Sequence, residues 1–260
     1  MDVANEYQNL SWWINEWHED TKGVIRVANL ALLKQALEAE KAVPEMASGQ
    51  PKTEEDDKAF FHREGMLHDA HLKERAVSLA NHGILLRMYA DVENWMNNFA
   101  KLLLRTHRSM NLGLKDFSGS GITRSRSIIT KFCVLEDSKR HWEKLRLYSV
   151  IRNNIAHSAG YVKLTAEYHG RRKDIDPFSE GESPTPPQIS DVEDPRLREA
   201  LHKLDHVYLS GPEGIEITFQ ALEDLADCVR EYLFHFLNQW LDRTQVSRDV
   251  WADRQCPDED

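Results

Sequence analysis

Leu85-Leu86-Arg87-Met88-Tyr89-Ala90-Asp91-Val92-Glu93-Asn94-Trp95-Met96-Asn97-Asn98-Phe99-Ala100-Lys101-Leu102-Leu103 is the stretch that decides the fold class. Its apolar members Leu85, Met88, Tyr89, Val92, Trp95, Met96, Phe99, Leu102 and Leu103 recur at i, i+3, i+4 and i+7. That spacing draws one stripe on a 3.6-residue helix, and such a stripe is buried against other helices. The helix is expected to run from Asp57 to His107. Thr53 and Asp56 announce it at cap spacing, and Gly65 and Asn81-His82-Gly83 are candidates for kinks or a break.

Outward from this stretch the helical signal continues. Glu6 to Glu19 and Gly23 to Ala42 read as two N-terminal helices, separated from the long helix by the breakers Pro44, Gly49 and Pro51. A short helix is expected near Ile122 to Leu135 and another from Lys139 to His157. The second turns Trp142, Leu145, Tyr148, Ile151 and Ile155 inward, with Gly160 at its C-terminal cap. Thr218 caps a last helix to about Arg243, with Leu222, Leu225, Cys228, Val229, Tyr232, Leu233, Phe236 and Trp240 buried.

Two short regions change period. Tyr161 to Tyr168 alternates like a strand. Val207-Tyr208-Leu209-Ser210 and Ile215-Glu216-Ile217 flank Gly211-Pro212-Glu213-Gly214, which reads as a β-hairpin with a four-residue loop. Residues 174–195, rich in proline and acids, are expected to be a mobile loop. The fold class is therefore mainly α, a helical bundle with a small β-hairpin or sheet insertion before its last helix. The expected divisions are an N-terminal helical extension over 1–52, a bundle over 53–243 with an insertion at 160–217, and a polar tail over 244–260.

At 260 residues and 41% hydrophobic, the chain can bury a real core. No apolar run approaches the roughly 20 residues needed to cross a bilayer, so no membrane partner is expected. The opening residues Met1 to Glu6 lack the basic and apolar regions of a secretory signal. Cys133, Cys228 and Cys256 are odd in number and far apart, which predicts free thiols and a cytoplasmic location.

The net charge of −10 is uneven. Between Arg105 and Arg152 stand 11 Lys and Arg against 4 Asp and Glu, a local balance of +7 in a chain whose remainder carries −17. A basic segment of this kind suits phosphate contact, and a solvated helix face is the plainer alternative.

At the end of that segment lies Tyr148-Ser149-Val150-Ile151-Arg152-Asn153-Asn154-Ile155-Ala156-His157. The spacing Arg-x4-His alone says little. With 19 Arg and 12 His, about one match arises by accident. The chain has three: Arg63/His68, Arg152/His157 and Arg230/His235. Neighbouring acids beside the first and last suggest surface pairing or packing. Arg152/His157 differs in its polar Asn153, its small Ala156, its place at a helix end and the basic charge before it.

This segment resembles the HEPN superfamily, whose Arg-x4-6-His motif is often written Arg-Asn-x-x-Ala-His. The resemblance rests on about ten residues and on the helical pattern over 60–243. It implies a metal-independent endoribonuclease of the toxin or phage-defence kind, with RNA as substrate, no cofactor, an antitoxin protein as a further partner, and a homodimer that pairs the motif helix with its twin. A non-catalytic HEPN-like module that dimerises and binds a nucleotide or protein is the alternative. In the enzymatic case Arg152 and His157 are catalytic, with Asn153 orienting His157 or binding a phosphate oxygen. A histidine changes protonation near neutral pH and so can act as base or acid. The permanently charged fork of Arg152 suits the phosphate in its transition state. Glu93 and Tyr148 are expected to support the pair, Glu93 by orienting Arg152. Arg124, Arg126, Lys139, Arg140 and Arg146 are the candidate RNA-binding cations.

Other constellations point to little. His202 and His206 at i,i+4, and His68 and His71 at i,i+3, lack a third ligand, and no metal is expected. Ser118-Gly119-Ser120-Gly121 lacks the Lys-Ser/Thr ending of a P-loop and reads as a turn. Trp12, Trp13 and Trp17 read as packing anchors.

Overall fold

A computed structural model describes residues 3–42, 54–106, 113–132, 135–173, 186–210 and 214–243. The chain is mainly helical, with one small antiparallel sheet directly before the last helix. In order, the helices are α1 (Val3–Ala28), α2 (Lys34–Lys41), α3 (Glu54–Thr106), α4 (Gly121–Ser127), α5 (Lys139–Ser158), α6 (Ala166–Lys173), α7 (Pro195–Lys203) and α8 (Phe219–Arg243). Strands β1 (Val207–Ser210) and β2 (Gly214–Ile217) pair Val207 with Ile217 and Ser210 with Gly214. No helix among the described residues is long and apolar enough to cross a membrane.

The chain packs as two compact units. The first gathers residues 1–21, 88–146 and 225–260; the second gathers 22–87 and 147–224. Helices α1, α3, α5 and α8 each give one part to each unit.

The first unit is built on the predicted stripes. Met88, Tyr89, Val92, Met96, Phe99 and Leu103 of α3 are buried, as are Leu225, Val229, Tyr232, Phe236 and Trp240 of α8. Phe99 lies 6.0 Å from Trp240 edge-to-face, and Tyr232 lies 4.9 Å from Phe236. Pairs of this geometry add about 0.5–1.5 kcal/mol each to the burial of their rings. Trp17 donates its indole N–H to Asp91, and the nearly buried His18 meets Asp227 at 2.6 Å. The other two tryptophans do not anchor: Trp12 and Trp13 are about half exposed and stack edge-on against each other.

The second unit buries Leu85 of α3, Tyr148, Ile151 and Ile155 of α5, and Ala221 and Leu222 of α8. Around them pack Val162, Leu164, Val192, Leu197, Leu201, Ile215 and Ile217. Thr218 caps α8 as expected, accepting the Ala221 N–H on its hydroxyl.

Several further sequence expectations change. The two N-terminal helices are one continuous helical run over 3–41, which passes through a π-helical turn at Asn29–Leu33. Helix α3 runs through Gly65 and Gly83 without the break that those positions allowed, and neither glycine takes a positive φ. Residues 161–168 do not form a strand. Tyr161 and Leu164 make isolated bridges to Gly214 and Val192, and α6 begins at Ala166. The alternation that suggested a strand is burial of Val162 and Leu164 on one side only. Within 174–195, residues 174–185 lie outside the described residues, and 186–195 are ordered. The Asp191 carboxylate accepts the Gln188 N–H, and Asp194 caps α7 with Pro195 in its first turn. The hairpin keeps its strands but places Gly214 in β2, and residues 211–213 of the expected loop lie outside the described residues.

Candidate functional site

The Arg-Asn-x-x-Ala-His segment forms the last turns of α5. A helix turns about 100° per residue, which sets the faces. Tyr148, Ile151 and Ile155 form the buried face, and the Tyr148 hydroxyl donates to the Ala221 carbonyl at 2.9 Å. Asn153 and His157 lie opposite, both exposed, one turn apart on the same line, and Ala156 is exposed beside them. Arg152 stands at the flank between the two faces and is half-buried. The core therefore dictates which residues of the motif look outward.

Arg152 donates from Nη1 to Asn153 Oδ1 at 2.9 Å. Asn153 thus orients the arginine, where the sequence assigned it to His157 or to phosphate. The Nε–H of Arg152 is buried with no hydrogen-bond partner, and Arg152 pairs with no carboxylate among the described residues. His157 likewise has no partner among the described residues. The motif thus carries an unneutralised guanidinium and an open imidazole on one helix end.

That end is firmly placed. Ala159 (φ 52°) and Gly160 (φ 82°) turn the chain out of α5 in the left-handed region, and Tyr161 N–H closes the turn on Ser158 O at 2.9 Å. A Cβ on Gly160 would stand 2.8 Å from Cε1 of the buried His82, so only glycine fits. His82 donates from Nε2 to the Ile215 carbonyl, and Ile215 N–H returns to Gly160 O. Asn154 also helps, donating from Nδ2 to Tyr161 O at 3.1 Å. Its Oδ1 is buried without a partner.

The remaining predicted site residues are dispersed. Glu93 belongs to the first unit, where its carboxylate lies beside Gly121, 3.5 Å from the position a Cβ there would take. Tyr148 supports α5 through the core. Arg124 donates from Nε and Nη2 to Gly119 O and so staples the Ser118–Gly121 turn. Arg126 grips Asp137 through Nε and Nη2, and its guanidinium lies 4.3 Å over the Trp142 ring. Asp137 also accepts from the Tyr232 hydroxyl, whose pKa is pushed far up by burial and then by the Asp137 charge. Both arginines are therefore engaged in the first unit's own architecture. Lys139 and Arg140 are exposed at the start of α5, and Arg146 is half-buried.

Of the other two Arg-x4-His pairs, Arg230/His235 is engaged through both members and Arg63/His68 through its arginine. Arg230 donates to Asn15 Oδ1 at 3.0 Å and lies over Phe234, while His235 contacts the Glu136 carbonyl and Gln239. Arg63 pairs with Glu64 at 3.6 Å. His202 ends α7, but His206 comes after a turn with φ 63°, so the two do not share a helix face. No cluster of three His, Cys, Asp or Glu suited to a metal occurs among the described residues. Cys228 is a buried thiol whose pKa burial raises to about 11, unsuited to act as a nucleophile.

Sequence reasoning did not find the cavity beside the motif. It measures about 400 Å³ and is lined by Val150, Asn153, Asn154, Ser158, Tyr161, Lys163, Asp194, Arg196 and Leu197. Its walls come from two stretches far apart in sequence, 150–163 and 194–197, so no local pattern announces it. Compared with family models, curated proteins and solved structures, the chain matches none.

Proposed function

We propose that this chain is a metal-independent, HEPN-like endoribonuclease that works as a homodimer through α5, in a toxin or phage-defence setting. One observation carries the proposal. Among the described residues, of the three Arg-x4-His pairs only Arg152/His157 combines an outward histidine without a partner with an arginine that no carboxylate neutralises. An arginine held by an asparagine keeps its charge for a phosphate, where a carboxylate partner would cancel it.

Helix geometry bears on the dimer. Arg152 and His157 stand five positions apart, about 140° around the helix and about 7.5 Å along it. One helix therefore spreads the two groups apart. Two α5 helices brought face to face assemble two such pairs around one phosphate.

The chemistry is RNA's own transesterification. His157 removes the 2′-hydroxyl proton, and the 2′-oxygen bonds to phosphorus as the bond to the 5′-oxygen breaks. His157 of the partner subunit protonates the leaving 5′-oxygen. Arg152 stabilises the charge of the pentavalent state, a role that oriented cations perform in a low-dielectric site. The products are a 2′,3′-cyclic phosphate and a 5′-hydroxyl.

The test is incubation of total RNA with the protein in EDTA beside His157→Ala. The proposal expects cleavage by the native chain and none by the variant. RNA that stays intact, or is cut equally by both, defeats it and favours a non-catalytic dimerisation module.

A further inference from the structure

The cavity beside the motif has the chemistry of a base-binding site. At about 400 Å³ it falls in the range of small-molecule sites, about 300–1,000 Å³. Its charges balance. Lys163 is paired with Glu193 at 2.7 Å, and Arg196 shares the rim with Asp194, whose carboxylate caps α7. A cavity without net positive charge is a poor phosphate site and suits a neutral group. Its walls alternate apolar Val150 and Leu197 with the amides of Asn153 and Asn154 and the hydroxyl of Ser158. Tyr161 stands at the edge with its side chain 58% exposed, and the exposed Arg196 has no side-chain partner among the described residues. Aromatic rings and guanidinium planes are the surfaces on which unstacked bases of single-stranded RNA lie.

Asn154 adds direction. Its Nδ2 is committed to the Tyr161 carbonyl through one hydrogen, which fixes which end of the amide is oxygen. Its Oδ1 is buried and lacks a donor, a state that is costly unless something supplies one. An acceptor beside one remaining N–H is the pair of groups with which asparagine reads the N6 and N7 edge of adenine.

We infer that this cavity is a nucleobase subsite that seats an adenine of single-stranded RNA next to the phosphate held by Arg152. The inference rests on the ribonuclease proposal for its substrate class. Asn153 belongs to both places: it orients Arg152 and lines the cavity. A base seated here fixes the position of the adjoining phosphate, so the cavity sets where the chain cuts.

The full chain is titrated with adenosine, uridine and ribose 5-phosphate, with binding read by NMR and calorimetry. Adenosine is expected to bind about tenfold or more tightly than uridine, and ribose 5-phosphate not to occupy the cavity. Tyr161→Ala is expected to weaken adenosine about tenfold. Ser158→Trp, at an exposed position, fills the cavity and is expected to abolish adenosine binding with the fold retained by circular dichroism. Equal binding of adenosine and uridine, or adenosine binding that survives Ser158→Trp, overturns the inference. Cleavage assays on the same samples separate the two claims. RNA cut with no preference for adenine, and equally by Ser158→Trp, removes the subsite and leaves the ribonuclease standing. Adenosine binding abolished by Ser158→Trp, with no RNA cut by any sample, removes the ribonuclease and leaves the subsite.

Discussion

Helices α5 and α8 carry the same spacing, Arg152/His157 and Arg230/His235, and use it oppositely. On α8 the arginine reaches Asn15 and covers Phe234, and the histidine binds the Glu136 carbonyl and Gln239. On α5 the arginine's one side-chain partner among the described residues is its neighbour Asn153, and the histidine faces outward. Spacing is thus an address without content. What separates a site from a packing detail is whether the hydrogen-bonding capacity of its groups is already taken.

The largest expected effect breaks the symmetry of the two pairs. Arg152→Ala and His157→Ala should each lower RNA cleavage by about 10²-fold or more, since general acid–base catalysis alone contributes about that much. Their melting temperatures should stay near the native value. His235→Ala should do the reverse, with native cleavage per folded molecule and a loss of about 1 kcal/mol from its broken hydrogen bonds. Kinetics and thermal melts on one set of proteins check both halves. Cleavage lost equally from both pairs would erase the distinction.

A second effect concerns what holds the end of α5. Gly160→Ala puts a methyl group 2.8 Å from His82 Cε1 at φ 82° and should cost about 1–3 kcal/mol, read by denaturant unfolding. Cleavage should fall with it, because the turn directly after His157 must shift.

On α8, pH gives a comparable handle. Burial raises the Cys228 pKa from about 9 to about 11, so the folded chain keeps a proton that the unfolded chain releases. The stability this contributes is complete below pH 9 and is lost as pH rises from 9 to 11, by about 2–3 kcal/mol. Cys228→Ala should remove the part of the loss that begins near pH 9 and leave the part above pH 10 that the raised Tyr232 hydroxyl contributes, which unfolding curves from pH 8 to 11 show.

The smallest effect has the opposite sign. Ala159 adopts φ 52°, a conformation that glycine takes without strain. Ala159→Gly should raise stability by about 0.5–1 kcal/mol, measurable as a small rise in melting temperature.

Much of this was written in the sequence. The stripes of α3 and α8, the inward face of α5, the hairpin strands and the Thr218 cap arise from periodicity and cap chemistry. The outward placement of Asn153 and His157 comes from the same periodicity, because the core claims Tyr148, Ile151 and Ile155. Helix α7 was missed although Asp194-Pro195 is a good start signal, because the acids and prolines before it read as loop. The strand expected at 161–168 failed because one-sided burial over a few residues looks the same in a bridge as in a strand. Asn153's bond to Arg152 and the cavity walls from Lys163 and Arg196 depend on tertiary placement, which no local pattern encodes.

The most direct test is the end chemistry of RNA cut by the native chain in EDTA. The account predicts 2′,3′-cyclic phosphate and 5′-hydroxyl ends, absent when His157→Ala replaces the native chain. Intact RNA, ends bearing a 3′-hydroxyl and 5′-phosphate, or equal cutting by His157→Ala would contradict it.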